Sequence, residues 1–327
     1  MAAHQVRGRP GKVERYELMT GGFSRVMARV TITWDDGGSE VLVLRGDPPA
    51  DQATLSSDRD AEWALLRCLT ELASLPVPAA RWYVDDEQWF GTKALFLDHL
   101  PSTTLQAQLE AGGDPDAATT GLCQLMADVA AVGPEALPGV PCPSDWDAYI
   151  DAKLAAWRAI ADEHVEALPV IRYLVAWMDA HRPPPAPFRL VHGDLQAANV
   201  LVTPDGAWHL IDWEFARIGD PREDLGYYNA YSGAVPPNLV ARDVDAFLAG
   251  FRERTGLDEE LVNPATFAWF TILSTLFAVK GLFDGVAAVA RGERYGTPVA
   301  YNAILVTLGH RNFVDAIAGI EAGMAAA

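Results

Sequence analysis

The chain has 327 residues, half of them hydrophobic, with 44 Asp and Glu against 25 Lys and Arg and a formal net charge of -19. That is long for one core and natural for two lobes, while the acidic balance excludes nucleic acid and anionic membrane as default partners and suits a cationic or neutral small molecule. Cys68, Cys123 and Cys142 are odd in number and lack paired metal-ligand spacing, so neither a disulfide framework nor a zinc site is indicated, which fits a reducing, cytoplasmic setting.

Met1 to Lys12 are polar, with Gly and Pro and no apolar core for a signal peptide, and are expected to form a loose tail. Tyr16 to Met19 can form a strand, followed by Thr20-Gly21-Gly22-Phe23-Ser24. From Val26 to Trp34 the even positions are apolar and alternate with Met27, Arg29, Thr31 and Thr33, the period of a strand. Asp35-Asp36-Gly37-Gly38 supply a turn, and Val41 to Leu44 a third strand ending at Arg45. Asp58 to Leu72 read as a helix capped by Ser56, Ser57 or Asp58, with Trp63, Leu66, Cys68 and Leu69 on its apolar face.

Pro76-Val77-Pro78 end that region. Arg81 to Val84 and Ala94 to Leu97 read as two more strands around a turn begun by Asp85-Asp86, with Lys93 at the start of the second. The sum is a five-stranded sheet with one helix. At Asp98-His99-Leu100-Pro101 strand patterning gives way to helical spacing, the expected hinge. Helices then follow over Leu105 to Ala111 and Ala117 to Gly133, with a Pro-rich connection from Pro134 to Pro143. Ser144 or Asp145 caps a helix carrying Trp146, Tyr149, Ile150, Leu154 and Trp157, and another helix covers Leu168 to His181.

The next stretch concentrates the chemistry. Leu190-Val191-His192-Gly193-Asp194 lead through a polar loop to Asn199; Val200-Leu201-Val202, Thr203-Pro204-Asp205-Gly206 and Trp208-His209-Leu210-Ile211 read as strand, turn and strand, and Asp212-Trp213-Glu214 follow. Pro204 presets the first corner of a type I turn and Gly206 accepts a left-handed conformation. If Asp205-Gly206 form a two-residue loop, Asn199 lies opposite Asp212; if Gly206 is a bulge, the pairing shifts by one residue. Either way two oxygen-bearing side chains sit close together, a donor set that suits Mg²⁺ bound with substrate phosphate oxygens, and Asp194 is a separate carboxylate beside them. Beyond Asp224, helices are expected over Leu239 to Thr255, Pro264 to Ala278 and Val299 to Glu321, with a fraying Ala-rich end. Ala265 to Val279 are strongly apolar but fall short of a membrane span of roughly 20 residues, so they read as a buried helix before Lys280.

His-Gly-Asp, then Asn five residues after the Asp, a short hairpin and Ile-Asp-Trp-Glu resemble the catalytic and metal loops of the aminoglycoside phosphotransferase family, relatives of the protein kinases. The resemblance implies an α+β, bilobal, protein-kinase-like fold. Residues 1–98 would form a nucleotide-binding lobe with a five-stranded antiparallel sheet and one helix, and residues 99–327 a mainly helical lobe with the catalytic loop, metal loop and acceptor pocket. Asp194 resembles the catalytic base, and Asn199 and Asp212 the Mg²⁺ ligands. His192 would brace the loop, while Asp220 and Asp224 match acids that are mostly structural. Gly22, Phe23 and Ser24 would lie over the triphosphate. Arg45 would hold the phosphates in place of the usual Lys, paired with Glu62, with Lys93 as the rival cation. Backbone groups around Asp98 and Leu100 would hold the adenine edge.

The implied activity is ATP- and Mg²⁺-dependent transfer of the γ-phosphate to a hydroxyl of a small molecule, with Glu214, Tyr227, Tyr228 and Trp269 as candidate acceptor contacts. The chain departs from the family at Gln196-Ala197-Ala198, where His-Pro-Gly is common. A catalytically weak nucleotide-binding module is the alternative, and a metal hydrolase ligated by His192, Asp194 and Asp212 a third.

Overall fold

The computed structural model describes residues 10–19, 26–47, 58–72, 74–163, 169–234, 237–275, 290–292, 314, 317–319 and 321. The expected glycine loop with Gly22, Phe23 and Ser24, the caps Ser56 and Ser57, Lys280 and most of the last expected helix lie outside them. The chain divides into two compact units, one of Met1–Leu105, Ala136–Val140 and Ala198–Phe215, the other of Gln106–Glu135, Pro141–Ala197 and Ala216–Ala327.

The first unit carries five antiparallel strands in the order β1-β2-β3-β5-β4, with β1 at Gly11–Leu18, β2 at Val26–Trp34, β3 at Ser39–Gly46, β4 at Ala80–Val84 and β5 at Ala94–Asp98. The alternation read in β2 sends Ala28, Val30, Ile32 and Trp34 to one face, where they pack with Leu42, Leu44, Trp82 and Phe96. Strand β1 begins at Gly11, inside the stretch expected to be a loose tail. It is an edge strand with mostly exposed side chains, so backbone pairing to β2 rather than apolar patterning forms it. Gly11 lies opposite Trp34, and a Cβ there would meet the Trp34 ring at 2.7 Å.

Helix α1, Arg59–Leu72, starts at Asp58, whose Oδ1 accepts the Asp60 and Ala61 N–H groups at 3.0 and 3.1 Å. Its buried face is Arg59, Glu62, Leu65, Leu66 and Leu69: Leu66 and Leu69 lie inside as expected, while Trp63 and Cys68 are only half-buried and their place is taken by Arg59, Glu62 and Leu65. Trp63 instead stacks on Tyr83 at 5.6 Å. The face is turned because two charged residues on it are buried as partners of other charges, which an apolar pattern cannot register.

The remaining strands of this unit are β6 (Thr103–Thr104), β8 (Val200–Val202) and β9 (Trp208–Leu210), in the order β6-β8-β9. Gly206 sits at φ 86° and donates its N–H to Thr203 O at 2.9 Å, while Thr203 N–H donates to Ala207 O at 2.9 Å. This is the bulged turn, so Leu210 pairs with Val200 and Ile211 N–H reaches Asn199 O at 2.9 Å.

Helix α2, Leu105–Glu110, belongs to the second unit apart from its first residue. There α3 (Pro115–Ala131) is capped by Asp114, and α4 (Trp146–Glu163) by Asp145, whose Oδ1 accepts the Ala148 N–H at 2.7 Å. Helix α5 (Pro169–Ala180), α4 and a helix over 264–275 share a core of Ile150, Leu154, Trp157, Leu174, Met178 and Trp269. The short strands β7 (Arg189–Val191) and β10 (Arg217–Gly219) pair antiparallel, followed by α6 (Glu223–Ala234) and α7 (Val244–Thr255); the 264–275 helix is α8. Among the described residues, no helix is long and apolar enough to cross a membrane.

Candidate active site

In the first unit the site residues gather around Arg45. It stands on β3 on the face opposite Leu44, and its Nη1 donates to Glu62 Oε1 of α1 at 2.9 Å. Its Nη2 donates to Asp212 Oδ1 and lies 3.3 Å from Glu214 Oε2. Burial works against the guanidinium charge, but Glu62, Asp212 and Glu214 outweigh it and hold Arg45 more firmly protonated than a free arginine. Arg59 is a second cation on Glu62 and also bonds Asp47 Oδ1 at 2.7 Å. Lys93 pairs with Asp60 rather than with Glu62, and lines one cavity with Arg59 and Asp47.

Asp212 is the one non-glycine among the described residues at positive φ, 71°. Asp tolerates that conformation because its short polar side chain can bond locally. The turn it makes carries the chain from β9 into Trp213, which is anchored by its indole N–H to Leu210 O at 3.0 Å. Asn199, buried in the residue before β8, and Asp212 therefore stand one register step apart at the open end of one hairpin. An amide and a carboxylate oxygen are hard donors, and the pair is too small for a complete cage; it fits a Mg²⁺ that arrives with phosphate oxygens. Among the described residues no cluster of three or more His, Cys, Asp or Glu could hold a metal. The hydrolase alternative also fails locally, since His192 is fully buried and its Nδ1 accepts the Asp194 N–H at 3.2 Å.

In the second unit β7 delivers the loop through Asp194. Gly193 turns at φ 82°, and the N–H groups of His192 and Gly193 donate to the two oxygens of Asp224 at 2.8 and 2.9 Å. Burial pushes the Asp224 carboxyl up to about 6, against the pull of those two amides. Asp194 Oδ1 accepts from Gln196 Nε2 at 2.9 Å and from the Tyr227 hydroxyl. Beside the loop, Glu223 bonds the Tyr149 hydroxyl and Arg217 and lies 2.9 Å from Lys153 Nζ. Burial raises the Glu223 carboxyl, but the two cations overcome it and hold it at about 2. Burial, aided by the Arg217 charge, lowers Lys153, because two cations share one carboxylate.

The sequence model of the phosphotransferase enzyme family (APH) matches residues 19–258. The chain belongs to this family.

Mouse acyl-CoA dehydrogenase family member 10 is 25% identical over 192 residues, 57% of this chain and 18% of that protein. The chain spans between about a fifth and two fifths of the length of the first curated relatives it matches. A putative aminoglycoside phosphotransferase from Ralstonia eutropha superposes with a TM-score of 0.73 at 16% identity, covering 96% of each chain. A thermostable mutant of aminoglycoside phosphotransferase APH(4)-Ia, in a ternary complex with ADP and hygromycin B, superposes with a TM-score of 0.60 at 17% identity, covering 95% of this chain and 97% of that one. The fold is that of the kinase-like phosphotransferases.

Within this APH chain the candidate acceptor contacts part company. Tyr228 and Trp269 are core residues with no face open to a ligand: the Tyr228 hydroxyl donates to Pro237 O at 3.3 Å and the Trp269 indole to Met178 O at 3.1 Å. Glu214 is buried against Arg45, so its charge is already committed. Tyr227 points its hydroxyl at Asp194. In the strand after Lys93, the Asp98 N–H is spent on Ala79 O at 3.0 Å and its carboxylate on Arg81, while Leu100 O accepts from Ser102 at 2.9 Å. Sequence reasoning missed Arg59, Gln196 and the Tyr149-Lys153-Arg217 set. Arg59 and Gln196 are buried and the other three half-buried, and no spacing in the sequence carries that signal.

Proposed function

We propose that the chain is a small-molecule kinase that moves the γ-phosphate of ATP to a hydroxyl group. The observation that carries the reading is the Arg45 guanidinium, which joins the α1 glutamate Glu62 to Asp212 of the hairpin that also bears Asn199. A cation fixed by carboxylates on two elements supports a role in holding phosphate oxygens, and the hard oxygen donors of Asn199 and Asp212 support one in holding Mg²⁺. The ion, when bound, would neutralise charge on the transferring phosphoryl group. Asp194 accepts or orients the acceptor hydroxyl's proton, an effect worth about 10² to 10⁴ in rate. His192, Gly193 and Asp224 fix the loop from which Asp194 projects. The net charge of -19 favours a neutral or cationic acceptor over a polyanion, and the free cysteines Cys68, Cys123 and Cys142 suit the cytoplasm.

One observation favours a weaker catalyst. Asp212 Oδ1 is already engaged by Arg45, and the guanidinium is shared among three carboxylates, which suits nucleotide binding with little turnover. A single experiment separates the two readings: ATP consumption with a panel of alcohols and amino alcohols, followed by mass spectrometry for an added phosphate. Turnover abolished in Asp194→Asn with the Mg²⁺-dependent nucleotide melting shift retained supports the kinase. A melting shift without turnover on any acceptor supports the binding module.

A further inference from the structure

We propose that Gln196 and Tyr227 are positioning residues for Asp194, clamping one oxygen of its carboxylate so that the group faces the acceptor hydroxyl in a single orientation. The inference rests on the reading of Asp194 as the base.

Both donors converge on the same atom. Gln196 Nε2 lies 2.9 Å from Asp194 Oδ1, and the Tyr227 hydroxyl donates to that oxygen too. A carboxylate turns easily about its last bond, because rotation there is broad and two-fold. Two donors from different elements remove that freedom: one lies on the loop itself, the other on α6. The same helix therefore grips the loop twice, through Asp224 on the backbone amides of His192 and Gly193 and, three residues on, through Tyr227 on the acid. The Tyr227 ring is braced by Tyr231, stacked at 6.2 Å and 11°.

The Gln196 amide can only point one way. Turned over, its oxygen would face a carboxylate oxygen, acceptor against acceptor. As it stands its Oε1 is buried without a hydrogen-bond partner among the described residues. A buried amide that leaves its acceptor unsatisfied is costly to keep, and what it gains here is the bond its Nε2 makes to Asp194. This gives a purpose to the residue at which the chain departs from the family's common loop.

Two effects follow for the reaction. An in-line transfer needs the receiving oxygen held in place, so loosening the carboxylate lowers kcat without touching nucleotide binding. Donors to a carboxylate also favour its charged form, so losing one moves the acid limb of the pH–rate profile to higher pH.

The test measures kcat, KM for ATP and for the best acceptor, and the pH–rate profile in Tyr227→Phe, Gln196→Leu, the double variant and Asp194→Asn. Each single variant is expected to lose about ten- to a hundredfold in kcat, the range for a hydrogen bond to a charged group, with KM for ATP within about twofold and the acid limb displaced upward. The double variant is expected to lose less than the product of the two, since both act on one oxygen. If Asp194→Asn is inactive while both single variants keep the wild-type kcat and pH profile, the clamp is refuted and the base reading stands. The clamp also falls if Tyr227→Phe raises the acceptor KM at unchanged kcat, which would make Tyr227 an acceptor contact. An active Asp194→Asn refutes the base reading and the clamp with it. Should either single variant fail to fold, the other decides alone.

Discussion

Arg45 and Asp212, 167 residues apart in sequence, are joined by a direct ion pair, and Asp212 makes it from a left-handed backbone. Charge and backbone conformation can be separated by substitution there. Asp212→Asn keeps a residue that tolerates positive φ and removes the charge; Arg45 retains Glu62 and Glu214. The expected result is loss of the Mg²⁺-dependent nucleotide melting shift with a nearly unchanged melting temperature in buffer. Asp212→Ala should lose the shift and a further ~1 kcal/mol, because alanine is strained at that φ. Equal melting of the two variants in buffer would contradict the strain.

Arg45→Ala removes a buried cation from three carboxylates, and of these Glu62 keeps only Arg59 as a cationic partner among the described residues. Breaking such a pair from one side should cost about 3 kcal/mol, measured by chemical denaturation, together with most of the ATP affinity measured by calorimetry. Lys93→Ala removes an exposed partner of Asp60 and should change neither. A larger loss of ATP affinity at Lys93 would reverse the assignment of the phosphate-binding cation.

Gly226 on α6 lies against the backbone of α8, where a Cβ would come within 2.3 Å of the Phe270 carbonyl carbon. Backbone cannot give way as a flexible side chain does, so Gly226→Ala should displace α6 and cost about 2 to 3 kcal/mol in denaturation. Because Asp224 and Tyr227 ride on the same helix, kcat should fall even at temperatures where the variant is fully folded. Full activity in a destabilised Gly226→Ala protein would separate the helix from the loop's geometry.

What could be read from the sequence follows the kind of signal each element leaves. Strand β2 matched its expected bounds because its side chains alternate between a buried and a more exposed face. Of strand β1 only the end from Tyr16 was expected, and its start at Gly11 held no such record, since an edge strand is formed by backbone bonds under exposed residues. The order of Gly206 in the turn left two registers open, and only the Thr203–Ala207 pairing chose between them. The burial of Arg59 and Glu62 on α1 was invisible, because charged residues enter a core only with partners that come from elsewhere in the chain. The bond from the Tyr227 hydroxyl to Asp194 left no mark either, since nothing local in the sequence points a tyrosine at a carboxylate 33 residues away.

Glu223 should govern part of the response to acid. Its carboxyl is held at about 2 against a reference of 4.5, so the folded state binds its proton less readily than the unfolded chain. A group depressed on folding contributes stability above its unfolded value and loses that contribution as pH falls through the folded one. The window is therefore from about pH 4.5 down to about 2, and the contribution at neutral pH is about 3 kcal/mol, taken at 1.36 kcal/mol per unit. Glu223→Gln leaves Lys153 and Arg217 close together with no shared carboxylate, so it should be less stable than wild type by about that amount at pH 7. Asp224 runs the other way: raised to about 6, it makes the folded state bind a proton more readily, so its contribution grows as pH falls through 6. Glu223→Gln removes the first outright and only trims the second, whose main cause is burial. Denaturation curves at pH 7 and pH 3 should show the gap between wild type and Glu223→Gln narrowing in acid, and a gap that stays constant across that range would rule out the two cations as the cause of the depressed carboxyl.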